Sequence, residues 1–124
     1  MRAVPRHVVE RLRGAAAKPD VNVATAMSLV ARTLVARDPK SAEATELFAE
    51  ALRIHTELAP ERWQRFSIAS HLGACWLAQG KLDEAKPLLR ESAERLAKLA
   101  TTRTSRVALR EARERMAQIC TACG

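Results

Sequence analysis

The sequence predicts an all-α protein, and three observations support this fold class. Ala, Leu, Arg and Glu, which favour helices, dominate the 124 residues. Apolar residues recur at helical spacing, and no segment shows the sustained alternation of a half-buried strand. Aromatic residues make up only 3% of the chain, whereas β-sandwiches and barrels depend on aromatic and β-branched residues. We therefore predict about six helices and no sheet.

Breaks in the helical pattern divide the chain into six segments. Pro19, Pro39 and Pro60 interrupt it, and Pro60 suits the first position of the helix that follows. Gly80 is expected to end the fourth helix, because glycine is common just after a helix C-terminus. The hydroxyls of residues 101–105 offer N-caps for the last helix.

Each segment carries an apolar face, although the first, about residues 4–17, is the weakest because Gly14 lowers its helix propensity. The other five have stripes with i, i+3, i+4 spacing. These stripes are expected to form the core, and they include Val23, Met27, Ala31 and Leu34; Ala44, Phe48, Ala51 and Leu58; Ala69, Leu72, Gly73 and Trp76; Leu82, Ala85, Leu89 and Leu96; and Leu109, Ala112, Met116 and Ile119.

Charged residues at i, i+4 are expected to decorate the exposed faces. Three glutamates stand one turn before a cation, which is the favourable order on a helix. The expected pairs are Glu91 with Arg95, Glu94 with Lys98, and Glu111 with Arg115. Each should stabilise its helix by only a few tenths of a kcal/mol.

A repeat relates the third and fifth helices. Ala44, Phe48 and Ala51 match three residues of the fifth helix, Ala85, Leu89 and Ser92, at a shift of 41 residues. A fixed period with two helices in each unit is typical of a helical solenoid, in which each unit packs on its neighbours.

The strongest motif lies in the second unit. It combines Leu-Gly, an aromatic residue, a turn glycine, a small residue and a large apolar residue at fixed spacing: Leu72, Gly73, Trp76, Gly80, Ala85 and Leu89. Physically, Gly73 permits close approach of two helices, Gly80 permits a tight turn, and Leu89 packs back towards Leu72. This pattern resembles the tetratricopeptide repeat (TPR).

The resemblance implies antiparallel helix hairpins stacked as a short right-handed TPR-like superhelix. The longer period is similar to that of repeats in bacterial multi-domain regulators. We expect one domain over residues 1–124, in which 1–19 form a weaker N-terminal helix and 20–60 a degenerate repeat. The best repeat covers 61–100, and 101–124 form either a capping helix or the start of a further repeat.

The TPR resemblance also implies a function, namely a non-catalytic protein–protein interaction module. Its concave groove would bind a peptide or protein segment through the first helix of each unit. The matching positions are small or apolar and favour an apolar partner face. These groove positions are Leu29, Thr33, Ser67, Ser70, Ala74 and Leu77, flanked by Ala26 and Ala36.

Charge suggests an alternative partner. The net charge of +7 is divided into +5 in residues 1–37, −3 in residues 38–94 and +5 in residues 95–124. Four arginines, Arg103, Arg106, Arg110 and Arg113, fall along one face of the last helix, where they could hold a nucleic-acid backbone, hold an acidic peptide, or keep the cap soluble.

Catalytic and cofactor motifs are missing from the sequence, so we expect neither an enzyme nor a bound cofactor or metal. Cys120 and Cys123 have metal-ligand or redox spacing, but both fall on the apolar stripe of the last helix, where packing is the favoured interpretation. That stripe, with Met116 and Ile119, is a candidate for self-association.

The longest apolar run, residues 72–78, is too short to span a membrane, and the N-terminus lacks a secretory pattern, so we expect a cytoplasmic protein.

Overall fold

The computed structural model describes residues 4–15 and 20–122, and this part of the chain consists of helices and short connections. The all-α prediction is confirmed. The helices are α1 (Arg6–Ala15), α2 (Val21–Arg37), α3 (Ala42–Leu58), α4 (Trp63–Ala78), α5 (Leu82–Leu99) and α6 (Arg103–Ala122). Each helix packs against its neighbour in sequence, and α4 also packs against α6.

Side-chain caps set the starts of three helices. The Asp20 carboxylate accepts a hydrogen bond from the Asn22 N–H at 2.7 Å, and Ser41 Oγ accepts one from the Ala44 N–H at 3.1 Å. At α6, Thr102 Oγ1 accepts a hydrogen bond from the Ser105 N–H at 3.1 Å. The predicted hydroxyl cap in residues 101–105 is therefore present.

Gly80 ends α4, as its position in the sequence predicts. Its φ of +79° is a left-handed conformation that glycine adopts without steric cost. The Lys81 N–H donates to the Trp76 carbonyl at 2.8 Å, and the Gly80 N–H donates to the Leu77 carbonyl at 3.1 Å. These two bonds are the pair that closes a Schellman motif. They turn the chain sharply into α5.

The α4–α5 hairpin packs as the motif residues predict. A Cβ on Gly73 would lie 2.7 Å from Leu89 Cγ, so only glycine lets the two helices approach this closely. Leu72, Ala85 and Leu89 are buried, and Trp76 lies half-buried between two apolar clusters. The helix α5 continues through Pro87, which faces solvent.

The core runs along the whole stack. One cluster joins the first four helices around Met27, Phe48 and Leu72. Two further clusters attach α6 to the α4–α5 hairpin, one around Phe66 and Leu96 and the other around Leu89 and Ile119. These two clusters hold α6 against the hairpin, so the side chains of α6 that face α4 have defined positions.

Three local expectations are wrong. Leu58 is 49% exposed because it is the last residue of α3, beyond the packed part of the helix. Pro60 lies in the turn before α4 and is not its first residue. Arg95 of α5 pairs with Glu61, in the turn before α4, at 3.3 Å between Nη2 and Oε2. This longer-range pair forms in preference to the expected pairing with Glu91 on the same helix.

Candidate partner-binding cleft and basic face

The predicted groove positions on α2 form an accessible strip. Leu29 is 57% exposed, the largest value for a large hydrophobic side chain among the described residues. Ala26 and Thr33 are half-buried beside it, and Ala36 is exposed further along. The strip therefore combines one prominent apolar side chain with small neighbours.

The predicted positions on α4 divide into two groups. Ser67 is half-buried and faces the gap between α2 and α4. Ser70 is 1% exposed and lies beneath a side chain of α6, so a partner cannot reach it in this structure. Ala74 is half-buried, and Leu77 packs into the cluster around Leu89 and Ile119. Of these four α4 positions, Ser67 therefore borders a cleft, whereas Ser70 is covered.

A cleft of about 150 Å³ separates α2 from α4. Its walls come from these two helices, and its floor comes from α3. The lining residues, which define the α2/α4 cleft, are Thr25, Ser28, Leu29 and Arg32 from α2, His55 from α3, and Trp63, Gln64, Ser67 and Ile68 from α4.

Two lining residues of the α2/α4 cleft carry buried polar atoms without a hydrogen-bond partner in the described part of the chain. They are His55 Nδ1 and Gln64 Oε1. His55 is 1% exposed, and burial, with a smaller contribution from the Arg62 charge, lowers its pKa. The imidazole is therefore neutral at pH 7, with one nitrogen that donates and one that accepts.

The neighbouring gap, between α4 and α6, is closed. Arg115 of α6 donates from Nη1 to Ser70 Oγ at 2.7 Å and from Nη2 to His71 Nδ1 at 3.2 Å. The His71 ring stacks on Phe48, with ring centroids 5.3 Å apart and planes inclined by 7°. Arg115 thus links α6 through α4 to α3.

The closed gap controls the charge state of His71. Burial lowers the pKa of His71 to about 3, and the positive charges of Arg115 and Arg32 act in the same direction. Because a guanidinium only donates, Nδ1 accepts and the ring proton resides on Nε2. Burial also lowers the pKa of Arg115 itself.

Sequence reasoning missed Arg115, His55 and Gln64. A signal for Arg115 was present, because it continues the buried spacing of Ala108, Ala112 and Ile119 on α6. The i, i+4 rule assigned it to Glu111 on the surface instead. No comparable signal marks His55 or Gln64, since their placement depends on how α2, α3 and α4 meet.

The basic face of α6 is exposed as predicted by its spacing. Arg103, Arg106, Arg110 and Arg113 are all exposed. Whereas Arg6, Arg53 and Arg95 form ion pairs with glutamates, these four have no ion-pair partner within the described residues. An open depression of about 600 Å³ lies among three of them, and Leu109, Glu114 and Ala117 also line it.

The cysteines and the apolar stripe of α6 are placed only in part. Cys75 is buried, and burial raises the pKa of its thiol. Cys123 and the side chain of Cys120 lie outside the described residues, so their packing, metal-binding or redox role stays a prediction. Ile119 is buried and Met116 half-buried against α5. Self-association through the stripe also stays a prediction, and these two side chains are already engaged within the chain.

The described residues contain neither a cluster of metal-binding side chains nor a helix suited to span a membrane. No group of three or more His, Cys, Asp or Glu side chains lies close enough together there to hold a metal ion. Within the same residues, no helix combines the length and apolar character of a membrane span.

Comparisons with known proteins do not identify a family. No protein-family model matches this chain, and neither does any curated protein or any solved structure. The TPR resemblance therefore depends on the motif residues themselves and stays a prediction.

Proposed function

We propose that this chain is a non-catalytic, TPR-like interaction module that binds a peptide or protein segment across α2 and the N-terminal half of α4. The observation that carries the proposal is Leu29, which stands 57% exposed at the edge of the α2/α4 cleft. An exposed leucine beside a cleft with polar groups is a common arrangement at binding sites, which combine apolar contacts with a few polar ones.

The shape of the surface favours a narrow partner segment. The closed α4/α6 gap ends the accessible surface near Ser70, so the partner would follow α2 and not the full length of α4. Leu29 and the small residues Ala26 and Thr33 suit the apolar side chains of a helix or an extended peptide.

Affinity capture from cells of the source organism tests the proposal. The wild-type chain is compared with Leu29→Glu and with Leu58→Glu, a control that places the same charge on a leucine exposed to a similar extent outside the cleft. We expect a protein that the wild type and Leu58→Glu retain and Leu29→Glu loses. If the wild type, Leu29→Glu and Leu58→Glu are all folded and capture the same proteins, this function is contradicted.

The basic face of α6 supports a second candidate, nucleic-acid binding. Ten residues separate Arg103 from Arg113, which corresponds to about 15 Å along a helix. Four exposed guanidiniums over this length can contact successive phosphates of one strand.

Salt-dependent binding of short DNA and RNA oligonucleotides tests this candidate. If all four arginines contact phosphates, the logarithm of the affinity should fall with the logarithm of salt concentration with a slope of about −3 to −4. The double variant Arg106→Gln/Arg110→Gln should reduce this slope, whereas Arg90→Gln, an exposed control on α5, should not. Negligible binding at low salt would exclude the candidate.

A further inference from the structure

The α2/α4 cleft has one cation and no anion among its lining residues. Arg32 is exposed there, and the other lining residues are uncharged at pH 7. Arg32 forms no ion pair within the described part of the chain. Other arginines, among them Arg53 and Arg95, pair with glutamates. The charge of Arg32 is therefore available to a binding partner.

Two histidines on this side of the molecule indicate the sign of the local field. Burial lowers the pKa of His55, and the charge of Arg62 lowers it further. Burial also lowers the pKa of His71 to about 3, and the charges of Arg115 and Arg32 add to this effect. The charges that act on both rings are positive. A cleft with low-dielectric walls concentrates such a field and attracts an anionic group.

Arg32 is the cation of this group that a partner meets at the cleft. Arg115 is half-buried and already donates hydrogen bonds to two side chains of α4. Glu111 and Glu114, on the same helix as Arg115, also oppose its charge. Arg32 is exposed and lines the cleft, so its guanidinium is accessible from solvent.

Leu29 and Arg32 present an apolar and a cationic side chain on one face of α2. They are three residues apart in the sequence, so their Cβ atoms lie about 5–6 Å from each other on the helix. Both side chains are exposed, and both line the α2/α4 cleft. A partner that covers both must place an apolar side chain and a group that complements a guanidinium at a similar distance. Residues one helical turn apart meet this requirement, and so do alternate residues of an extended segment.

A side-chain carboxylate is the group that best complements Arg32. Its two oxygens accept hydrogen bonds from a guanidinium in a bidentate manner, whereas an ammonium group would be repelled. A neutral amide offers an acceptor but no charge to offset the cation. A phosphate, with a charge of about −2, calls for more than one cation, and the lining of the cleft supplies one.

We propose that the partner segment carries an aspartate or glutamate close to an apolar residue, with the carboxylate paired to Arg32 and the apolar side chain packed on Leu29. This inference rests on the proposed function as a peptide-binding module and specifies the charge that the α2/α4 cleft recognises. An exposed ion pair adds little affinity, so Arg32 acts chiefly in the selection of the partner.

Selection from a displayed library of short random peptides tests the inference without a known partner. The bait is the full chain, and glycine-rich flanks keep both ends of each peptide out of the selection. We expect the wild type to enrich peptides with Asp or Glu one helical turn, or two residues, from a large apolar residue. The charge-reversed Arg32→Glu should enrich Lys or Arg at that place. Arg90→Glu, an exposed control on α5, should keep the acidic preference.

A double-mutant cycle assigns the carboxylate to Arg32. The most enriched peptide is synthesised with its acidic residue and with the corresponding amide, and binding is measured by fluorescence anisotropy at low salt. On the wild type we expect the amide peptide to bind about threefold to fivefold more weakly, which is the upper part of the range for an exposed ion pair. On Arg32→Gln the two peptides should bind equally, whereas on Arg90→Gln the difference should persist.

Two outcomes would overturn this inference alone. The wild type could enrich peptides that depend on Leu29 but show no acidic preference. Alternatively, the acidic preference could persist in Arg32→Gln and disappear in Arg106→Gln/Arg110→Gln, which would assign the carboxylate to the basic face of α6. A third outcome would overturn the proposed function as well: the wild type enriches no peptide, or Leu29→Glu enriches the same peptides as the wild type.

Discussion

Two histidines, His55 buried and His71 half-buried, lie at gaps of the helix stack but differ in their hydrogen bonding. His71, at the α4/α6 gap, accepts a hydrogen bond from Arg115 and stacks on Phe48. At the α2/α4 cleft, His55 Nδ1 has no hydrogen-bond partner among the described residues. Burial lowers the pKa of both rings. The two gaps therefore differ in hydrogen bonding: side-chain bonds close the α4/α6 gap, and the α2/α4 cleft stays open.

An arginine accounts for the difference. Arg115 lies on the packed face of α6, so its side chain enters the α4/α6 gap and reaches Ser70. Arg32 of α2 also borders a gap, but it is exposed and stays at the wall of the cleft. The two helices thus use the same residue type in two ways, and only the inserted arginine closes its gap.

The largest expected effect is the loss of the inserted arginine. Arg115→Ala leaves Ser70 Oγ and His71 Nδ1 without their donor, and unpaired buried polar atoms cost about 1–3 kcal/mol each. We expect the free energy of unfolding to fall by about 3 kcal/mol, measured by urea denaturation followed by circular dichroism. Arg113→Ala, two residues away and exposed, should change it by less than about 0.5 kcal/mol.

Equal effects of Arg115→Ala and Arg113→Ala on the free energy of unfolding would contradict the distinction between a closed and an open gap. They would mean that the hydrogen bonds of Arg115 to Ser70 and His71 contribute nothing measurable in solution. The α4/α6 gap would then be open like the α2/α4 cleft, and the proposed binding surface would have to include the C-terminal half of α4.

The second-largest expected effect is a pH dependence of the free energy of unfolding that comes from the protonation of His71. Its pKa is about 3 in the folded chain against an ordinary value of 6.5, so below pH 6.5 the unfolded state binds more protons. Stability is therefore complete above pH 6.5 and is lost as pH falls towards 3. The free energy of unfolding should fall by about 1 kcal/mol between pH 6.5 and 5.5, and then by up to about 1.4 kcal/mol per pH unit.

The variant His71→Gln checks this assignment. The glutamine keeps a hydrogen-bond acceptor for Arg115 but does not titrate. The free energy of unfolding should therefore fall less steeply between pH 6.5 and 5.5. This dependence on pH should not vanish, because the lowered pKa of His55 acts in the same direction. An unchanged slope, or an NMR titration of His71 near 6.5, would show that the closed gap admits water.

The fold was predictable from local patterns, because helix periodicity, caps and turn residues act over a few neighbouring residues. Gly80 illustrates this, since its place after an apolar stripe predicted both the end of α4 and the turn after it. Gly73 and Leu89 were predictable as well, because their spacing within one hairpin fixes their contact.

The candidate site was predictable only in outline. The exposed position of Leu29 follows from the periodicity of α2, but the burial of Ser70 depends on Arg115, which lies 45 residues away. The cleft itself depends on how far apart α2 and α4 stand, which no local pattern encodes. Sequence reasoning therefore assigned the groove to α2 and α4 but could not tell the open gap from the closed one.

The same substitution at the two histidines compares the two gaps directly, with a smaller expected change in the free energy of unfolding. His55→Phe removes an unpartnered polar group, which is neutral or stabilising, so we expect the free energy of unfolding to rise by up to about 1 kcal/mol. His71→Phe removes a partnered group and should lower it by about 1–2 kcal/mol. Thermal or urea denaturation of both variants provides the measurement. Destabilisation by His55→Phe as large as that by His71→Phe would mean that His55 has a structural partner.

The smallest expected effect concerns Leu29 and measures how open the cleft is. Because Leu29 is 57% exposed, Leu29→Ala loses little buried area and gains helix propensity, so the free energy of unfolding should change by less than about 0.5 kcal/mol. Leu72→Ala, at a buried leucine of α4, should cost about 2–5 kcal/mol under the same conditions. If Leu29→Ala cost as much as Leu72→Ala, α2 and α4 would be in contact around Leu29 in solution. The exposed leucine would then belong to the core, and partner binding there would first require the two helices to separate.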